Sequence, residues 1–223
     1  MPSPPVSSVV DLSHEIADGT ITYPGLPGPV ITDHLSRVDS RERYAPGYEF
    51  QIGHIDMVSN TGTYLDTPFH RFADGHDLAG LDLARVAGVG GVVVDATARQ
   101  EAGADLLAGL DVAGRAVLVR TGWDRHWGTD AYGDGAHPFL GVDAAELLVA
   151  AGAAVVGIDS VNIDDTRTGA RPIHTALLGA GIPIVEHLCR LDQLGDRPFT
   201  FFAVPPAVVG MGTFPVRAFA LLP

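Results

Sequence analysis

His54-Ile55-Asp56-Met57-Val58-Ser59-Asn60-Thr61-Gly62-Thr63-Tyr64-Leu65-Asp66-Thr67-Pro68-Phe69-His70 is the stretch whose reading decides the fold. It opens with a period of two. Ile52, His54, Asp56 and Val58 fall on one side and Gly53, Ile55 and Met57 on the other, which predicts a strand. Gly62 permits a tight or left-handed turn. Pro68 stops regular pairing just before His70. Asn60, Tyr64, Asp66 and His70 have even spacing, so an extended chain aims them at one side. A polar set aimed one way and punctuated by Gly and Pro suits a site that holds something. The same pattern also suits a strand with a solvated face followed by a turn.

Outward from this stretch, the chain alternates short apolar runs and turn signals without strict strand–helix alternation. Strands are expected at Val9–Leu12, Gly91–Asp95, Ala116–Arg120, Ala154–Ile158, Pro183–Val185, Phe199–Val204 and Phe214–Leu222. Helices are expected at Ala79–Val86, Ala104–Gly109, Val142–Ala151 with a Gly152 stop, and His174–Ala180. Charged residues 33–47 are expected to form a mobile loop or lid. Tyr23-Pro24-Gly25-Leu26-Pro27-Gly28-Pro29 must be irregular and is a candidate pocket wall. Residues 123–141 form a long irregular segment carrying Trp123, His126, Trp127, Tyr132 and His137. Such segments line sites or pack under loops. The expected fold is α/β, with residues 1–223 forming one domain: a mixed β-sheet core flanked by short helices.

Composition narrows the function. The chain has 223 residues, 46% of them hydrophobic, which supports a sizeable core. Its net charge of -13 repels phosphate backbones, so no nucleic-acid partner is expected. The single cysteine, Cys189, makes no internal disulfide and suits a reducing cytoplasm. No run reaches the length of a membrane helix. Met1-Pro2-Ser3-Pro4-Pro5-Val6 has no basic region followed by an apolar run, so no secretory signal is expected there. A Gly-x-Ser-x-Gly elbow, a phosphate-binding glycine loop, Gly-x-Gly-x-x-Gly and Cys-x-x-Cys are all absent.

His174 opens a predicted helix and Glu186 closes a predicted strand. Together with Asp66 they offer one imidazole and two carboxylates, a tripod suited to a divalent metal with open positions. Asp164-Asp165 reads either as a second acidic contributor or as a capping and ion-pair loop, the loop being favoured, and Cys189 reads as buried and inert.

These residues together resemble the cyclase family, which includes bacterial kynurenine formamidases and isatin hydrolase. That family carries His-x-Gly-Thr-His-x-Asp-x-Pro-x-His; the matching run here is Asn60 to His70. The resemblance extends to the Asp-Leu-Ser opening, the Tyr-Pro-Gly loop, Arg120-Thr121-Gly122-Trp123, Gly157-Ile158-Asp159 and His174 through Glu186. It implies a metal at Asp66, His174 and Glu186, and proton transfer by His70. Asn60 and Tyr64 stand where the family pattern has histidines. Amide and neutral phenol oxygens are poor zinc ligands, so the family's other metal site is expected to be missing. His54 and Asp56 are the only upstream substitutes of the same parity.

The reading is therefore a cytoplasmic hydrolase that opens an amide, formamide or lactone in a small cyclic or aromatic substrate. One divalent metal, Zn or Mn, is expected. Asn60 and Tyr64 are assigned to hydrogen-bond the oxyanion, and Tyr23, Pro24, Trp123 and His137 to contact substrate. A homodimer or larger homo-oligomer is expected from the resemblance. The alternatives are a metal-free cyclase or dehydratase using His70 and Tyr64, and a non-catalytic binding protein on the same scaffold.

Overall fold

The valine-rich run expected as a buried strand lies at the middle of the fold. The computed structural model describes residues 8–223, so the stretch read for a secretory signal lies outside the described residues. Strands are numbered in chain order. β5 (Ala87–Asp95) pairs in parallel with β7 (Ala116–Arg120). β7 pairs in parallel with β9 (Val155–Ile158), and β9 with β10 (Ile184–Glu186). Antiparallel strands extend this centre both ways. On one side β10 pairs with β4 (Tyr64–Asp66) and β4 with β12 (Thr213–Pro215). On the other, β5 pairs with β11 (Phe199–Phe202), β11 with β13 (Phe219–Leu222), and β13 with β1 (Ser8–Asp11). The result is a nine-stranded mixed sheet.

Because side chains alternate along a strand, each central strand feeds two cores. Val117, Val119, Val156, Ile158 and Ile184 join Leu148, Leu177 and Leu178 on one face. The last three come from α2 (Val142–Ala151) and α3 (Pro172–Gly179), which therefore cover that face. Leu118, Val155 and Val185 join Leu12, Phe201, Leu191 and Leu194 on the other face. Burial on both faces explains why these strands read as continuous apolar runs. Complete burial of a side chain such as Leu118 or Ile158 contributes roughly 1.5–3 kcal/mol.

Several sequence expectations are corrected. Residues 33–47 are not all loop. β2 (Val30–Leu35) pairs antiparallel with β3 (Ile52–Asp56), and the short α1 (Arg37–Ser40) lies between them. This two-stranded arm is separate from the main sheet, and every residue of β2 and β3 except Leu35 is exposed. The strand predicted from His54 is thus real, but it ends at Asp56 and does not carry His54 or Asp56 into the site. The helices expected at Ala79–Val86 and Ala104–Gly109 are single 3-10 turns, Leu83–Arg85 and Ala104–Leu107. The predicted strand Phe214–Leu222 is two strands, β12 and β13, which join opposite ends of the sheet. Residues 123–141 contain two 3-10 turns and the two-residue β8 (Phe139–Leu140), paired with β6 (Glu101–Ala102). No helix among the described residues is long and apolar enough to cross a membrane.

Candidate metal and proton-transfer site

β4 carries the motif between β10 and β12. Its register sets Glu186 opposite Tyr64, and Ile184 and Thr213 opposite Asp66. Gly62, at φ 65°, makes the turn that delivers the chain to β4, and a Cβ there would lie 2.8 Å from the Ile16 side chain. Pro68 opens the 3-10 turn Pro68–His70, which swings His70 back toward Asp66. The His70 Nδ1 lies 3.8 Å from Asp66 Oδ1.

His174 enters from the first turn of α3, with Pro172 at the helix start. Asp164 fixes that turn. Its Oδ1 accepts from Ile173 N at 2.8 Å, and its Oδ2 accepts from His174 N at 3.0 Å and from His174 Nδ1 at 2.6 Å. Asp164 therefore caps the helix and also orients the imidazole, leaving Nε2 to face inward. That Nε2 lies 3.8 Å from Asp66 Oδ2 and 3.7 Å from Glu186 Oε1. Burial alone would lower the His174 pKa; its bond to Asp164 and the nearby Asp66 and Glu186 carboxylates outweigh burial and push it up to about 10. For Glu186, burial is the main cause of a rise to about 7, with His174 opposing it and Asp66 reinforcing it.

Both Glu186 oxygens already accept hydrogen bonds. Ile163 N donates to Oε1 at 2.7 Å and the Tyr64 hydroxyl donates to Oε2 at 2.7 Å. Tyr64 is 2% exposed, so its hydroxyl is committed within the protein rather than offered to a substrate. Burial, then Glu186 and Asp66, hold its pKa well above the usual phenol range. The Asn60 amide bonds the same hydroxyl, and His187 Nε2 lies 3.3 Å from it. Tyr132 OH bonds His187 Nδ1 at 2.8 Å. Burial holds His187 neutral, with its pKa down to about 3. Sequence reasoning missed His187. Its one local signal is position, directly after Glu186, and its backbone is left-handed at φ 56°.

A metal fits this arrangement. Asp66 Oδ2 is buried and has no hydrogen-bond partner among the described residues. An unpaired buried carboxylate oxygen is costly unless a cation satisfies it. One ligand atom each from Asp66, His70 and His174 lie within 4.8 Å of one another. One carboxylate and two imidazoles suit a divalent transition metal. His174 Nε2 lies near both Asp66 and Glu186, but the three residues whose ligand atoms all converge are Asp66, His70 and His174, with Glu186 outside that group. Of the four side chains, His70 is 36% exposed, against 0% for Asp66, 6% for His174 and 1% for Glu186.

The residues expected to touch substrate lie elsewhere in the network. Trp123 Nε1 donates to the Tyr132 carbonyl at 3.0 Å. Pro24 and Tyr132 line a cavity of about 660 Å³, together with Thr20, Thr22 and Asp130; Tyr23 is half-buried beside Pro24. His137 is buried, with Nε2 2.9 Å from Thr166 Oγ1 and Nδ1 3.1 Å from the Pro138 carbonyl. Trp127 stacks on His14 with ring centroids 4.0 Å apart. Asp165 pairs with Arg167 in the expected capping and ion-pair loop. Cys189 is buried, and its thiol pKa is pushed up to about 12 mainly by that burial.

Comparison with known proteins matches this picture. The cyclase family pattern matches residues 10–165. A kynurenine formamidase from Bacillus cytotoxicus is 29% identical over 213 residues, covering 95% of this chain and 96% of that protein. A solved structure described as a potential metal-dependent hydrolase with cyclase activity superposes with a TM-score of 0.79 at 25% identity, covering 97% of this chain and 98% of that one. Isatin hydrolase A from Ralstonia solanacearum has the same fold, with a TM-score of 0.81 at 24% identity, covering 97% and 92% of the two chains. A match over more than two thirds of its length places this chain in the cyclase family.

Proposed function

We propose that this protein is a metal-dependent hydrolase that opens an amide, formamide or lactone bond in a small cyclic or aromatic substrate. The observation that carries the reading is the orphaned, fully buried Asp66 Oδ2 facing the inward Nε2 of His174. The activities named for the relatives, kynurenine formamidase and isatin hydrolase, supply the bond class. Asp66 and His174 would hold the metal, zinc or manganese, with Glu186 Oε1 completing the set through its second lone pair. When bound, such an ion polarises a carbonyl and acidifies a water.

The chain's own residues do the rest. His70 is the most solvent-exposed member of the group, which suits a residue that must exchange protons. Its Nε2 takes the proton of the attacking water and returns it to the leaving nitrogen or oxygen. Tyr64 holds Glu186, which replaces its expected role at the oxyanion. Asn60 steadies the Tyr64 hydroxyl. The proposal also covers assembly and location. Val30, Ile31, Tyr48, Phe50, Ile52 and Ile55 are exposed on or beside the β2–β3 arm, an apolar surface suited to a homodimer contact. The lone buried thiol suits the cytoplasm.

Untagged protein purified without chelator should contain about one divalent metal per chain and should hydrolyse an aryl formamide or an isatin-type lactam. Chelation should abolish turnover, and Mn or Zn should restore it. His70→Ala should keep the metal and lose turnover. No metal after incubation with Mn, Zn or Mg would refute the reading; loss of metal in His70→Ala would make His70 a ligand instead.

A further inference from the structure

Thr213 opens β12 opposite Asp66. The preceding residue must be glycine. A Cβ at Gly212 would stand 2.2 Å from the His70 backbone nitrogen and 2.6 Å from its Cα. The carbonyl of Gly212 accepts from Thr67 N at 2.7 Å, which pins this close approach. As a result the Thr213 hydroxyl sits between two groups of the site. Its Oγ1 is hydrogen-bonded to Asp66 Oδ1 and lies 2.8 Å from His70 Nδ1.

A hydroxyl carries one proton, and two partners compete for it. As a metal ligand Asp66 would be a carboxylate that only accepts, so the Thr213 proton goes to Asp66 Oδ1. If Thr213 donated to His70 instead, its oxygen lone pairs would face a buried carboxylate oxygen. His70 Nδ1 must therefore be the donor in its own contact. We propose that Thr213 is a positioning residue that fixes His70 as the Nδ1–H tautomer and leaves the Nε2 lone pair free to act as the base. An imidazole in water favours the opposite tautomer, with the proton on Nε2. The bond to Thr213 thus provides what solvent does not, and proton transfer needs no ring flip. This inference rests on the proposed function through the ionised Asp66.

The test uses the zinc-loaded full chain with nitrogen-15-labelled histidine, as parent, Thr213→Val and Thr213→Ser. The parent should show a protonated Nδ1 and an unprotonated Nε2 at His70. Thr213→Val removes the hydroxyl at nearly constant volume. It should shift His70 toward Nε2–H and lower kcat roughly 10- to 100-fold, the usual cost of losing a supporting partner, with KM little changed. Thr213→Ser keeps the hydroxyl and should recover both the tautomer and most of the rate. A parent that binds zinc but shows Nε2–H, or a Thr213→Val protein with the parent's tautomer and rate, overturns the role of Thr213 alone. A parent that binds no metal overturns the functional reading beneath it. If Thr213→Val fails to fold, the parent and Thr213→Ser spectra still decide the tautomer.

Discussion

Replacing Tyr64 with Phe isolates one hydroxyl. The ring stays, so the packing of a side chain that is 2% exposed is retained. The change removes a side-chain donor to Glu186 Oε2 and an acceptor for His187 Nε2 and the Asn60 amide. A hydrogen bond to a buried charged group is worth about 1.5–3 kcal/mol, and stranding its partners adds to the loss, so metal-free protein should lose about 2–4 kcal/mol. For a chain of this length each kcal/mol lowers Tm by about 2–4 °C, so a fall of roughly 4–16 °C is expected.

The loss should depend on pH. Glu186 already has its pKa raised to about 7, above the unfolded 4.5, so its contribution is fully present below 4.5 and is lost as pH rises through 7. Without the Tyr64 donor the pKa rises further, and this decline continues to higher pH. The Tm gap between parent and variant should therefore be wider at pH 8 than at pH 6. Metal affinity should fall about 10- to 100-fold, because Glu186 loses the bond that aims it. Thermal denaturation of chelator-treated protein at the two pH values, followed by manganese titration, measures both effects. A variant with the parent's Tm at pH 8 and the parent's affinity would refute the claim that Tyr64 holds Glu186.

Two further outcomes follow from the same geometry. Asp164→Asn leaves His174 Nδ1–H and the α3 backbone donors competing for one oxygen; metal affinity should drop about 10- to 100-fold, and urea unfolding should show about 1–3 kcal/mol of lost stability. His14, its pKa lowered to about 4 by burial and then by Arg190, supports stability that is present above 6.5 and lost as pH falls from there toward 4. His14→Phe keeps a ring against Trp127 and strands no partner of Nε2, so it should flatten the slope of stability against pH by about 1.4 kcal/mol per unit in that window, read by urea unfolding.

How much of this was legible depended on whether the signal was local. Val142–Ala151 and Ala116–Arg120 fall where the pattern placed them, because a helical apolar stripe ended by Gly152 and a doubly buried strand both announce themselves in sequence. Asp66, His70, His174 and Glu186 could be singled out because each sits at an element end. β2 was missed because both faces of the arm are exposed, so no buried face marks it, and its register with β3 shifts between Asp33 and Leu35. Phe214–Leu222 looked like one strand; Pro215, which has no N–H to donate, ends β12, and the chain crosses to the far end of the sheet before β13. Thr213 and His187 carry no motif at all. They matter only because β12 and β10 flank β4, a pairing of residues more than a hundred apart in sequence.

That same pairing gives Asn60 and Tyr64 a shared task. Tyr64 stands opposite Glu186 in register, across β4 and β10. It places a proton donor on Glu186 Oε2. Its hydroxyl oxygen then needs donors of its own. The Asn60 amide provides one and His187 Nε2–H the other, and Tyr132 OH closes the line at His187 Nδ1. Each hydrogen bond in this line points toward Glu186, so each strengthens the next, and the negative end is a carboxylate. Asn60 and Tyr64 therefore act as a pair. Asn60→Ala would leave the Tyr64 oxygen short of a donor, and a histidine at 64 alone would leave Asn60 and His187 without their acceptor. The fold sets a directed row of neutral donors against Glu186.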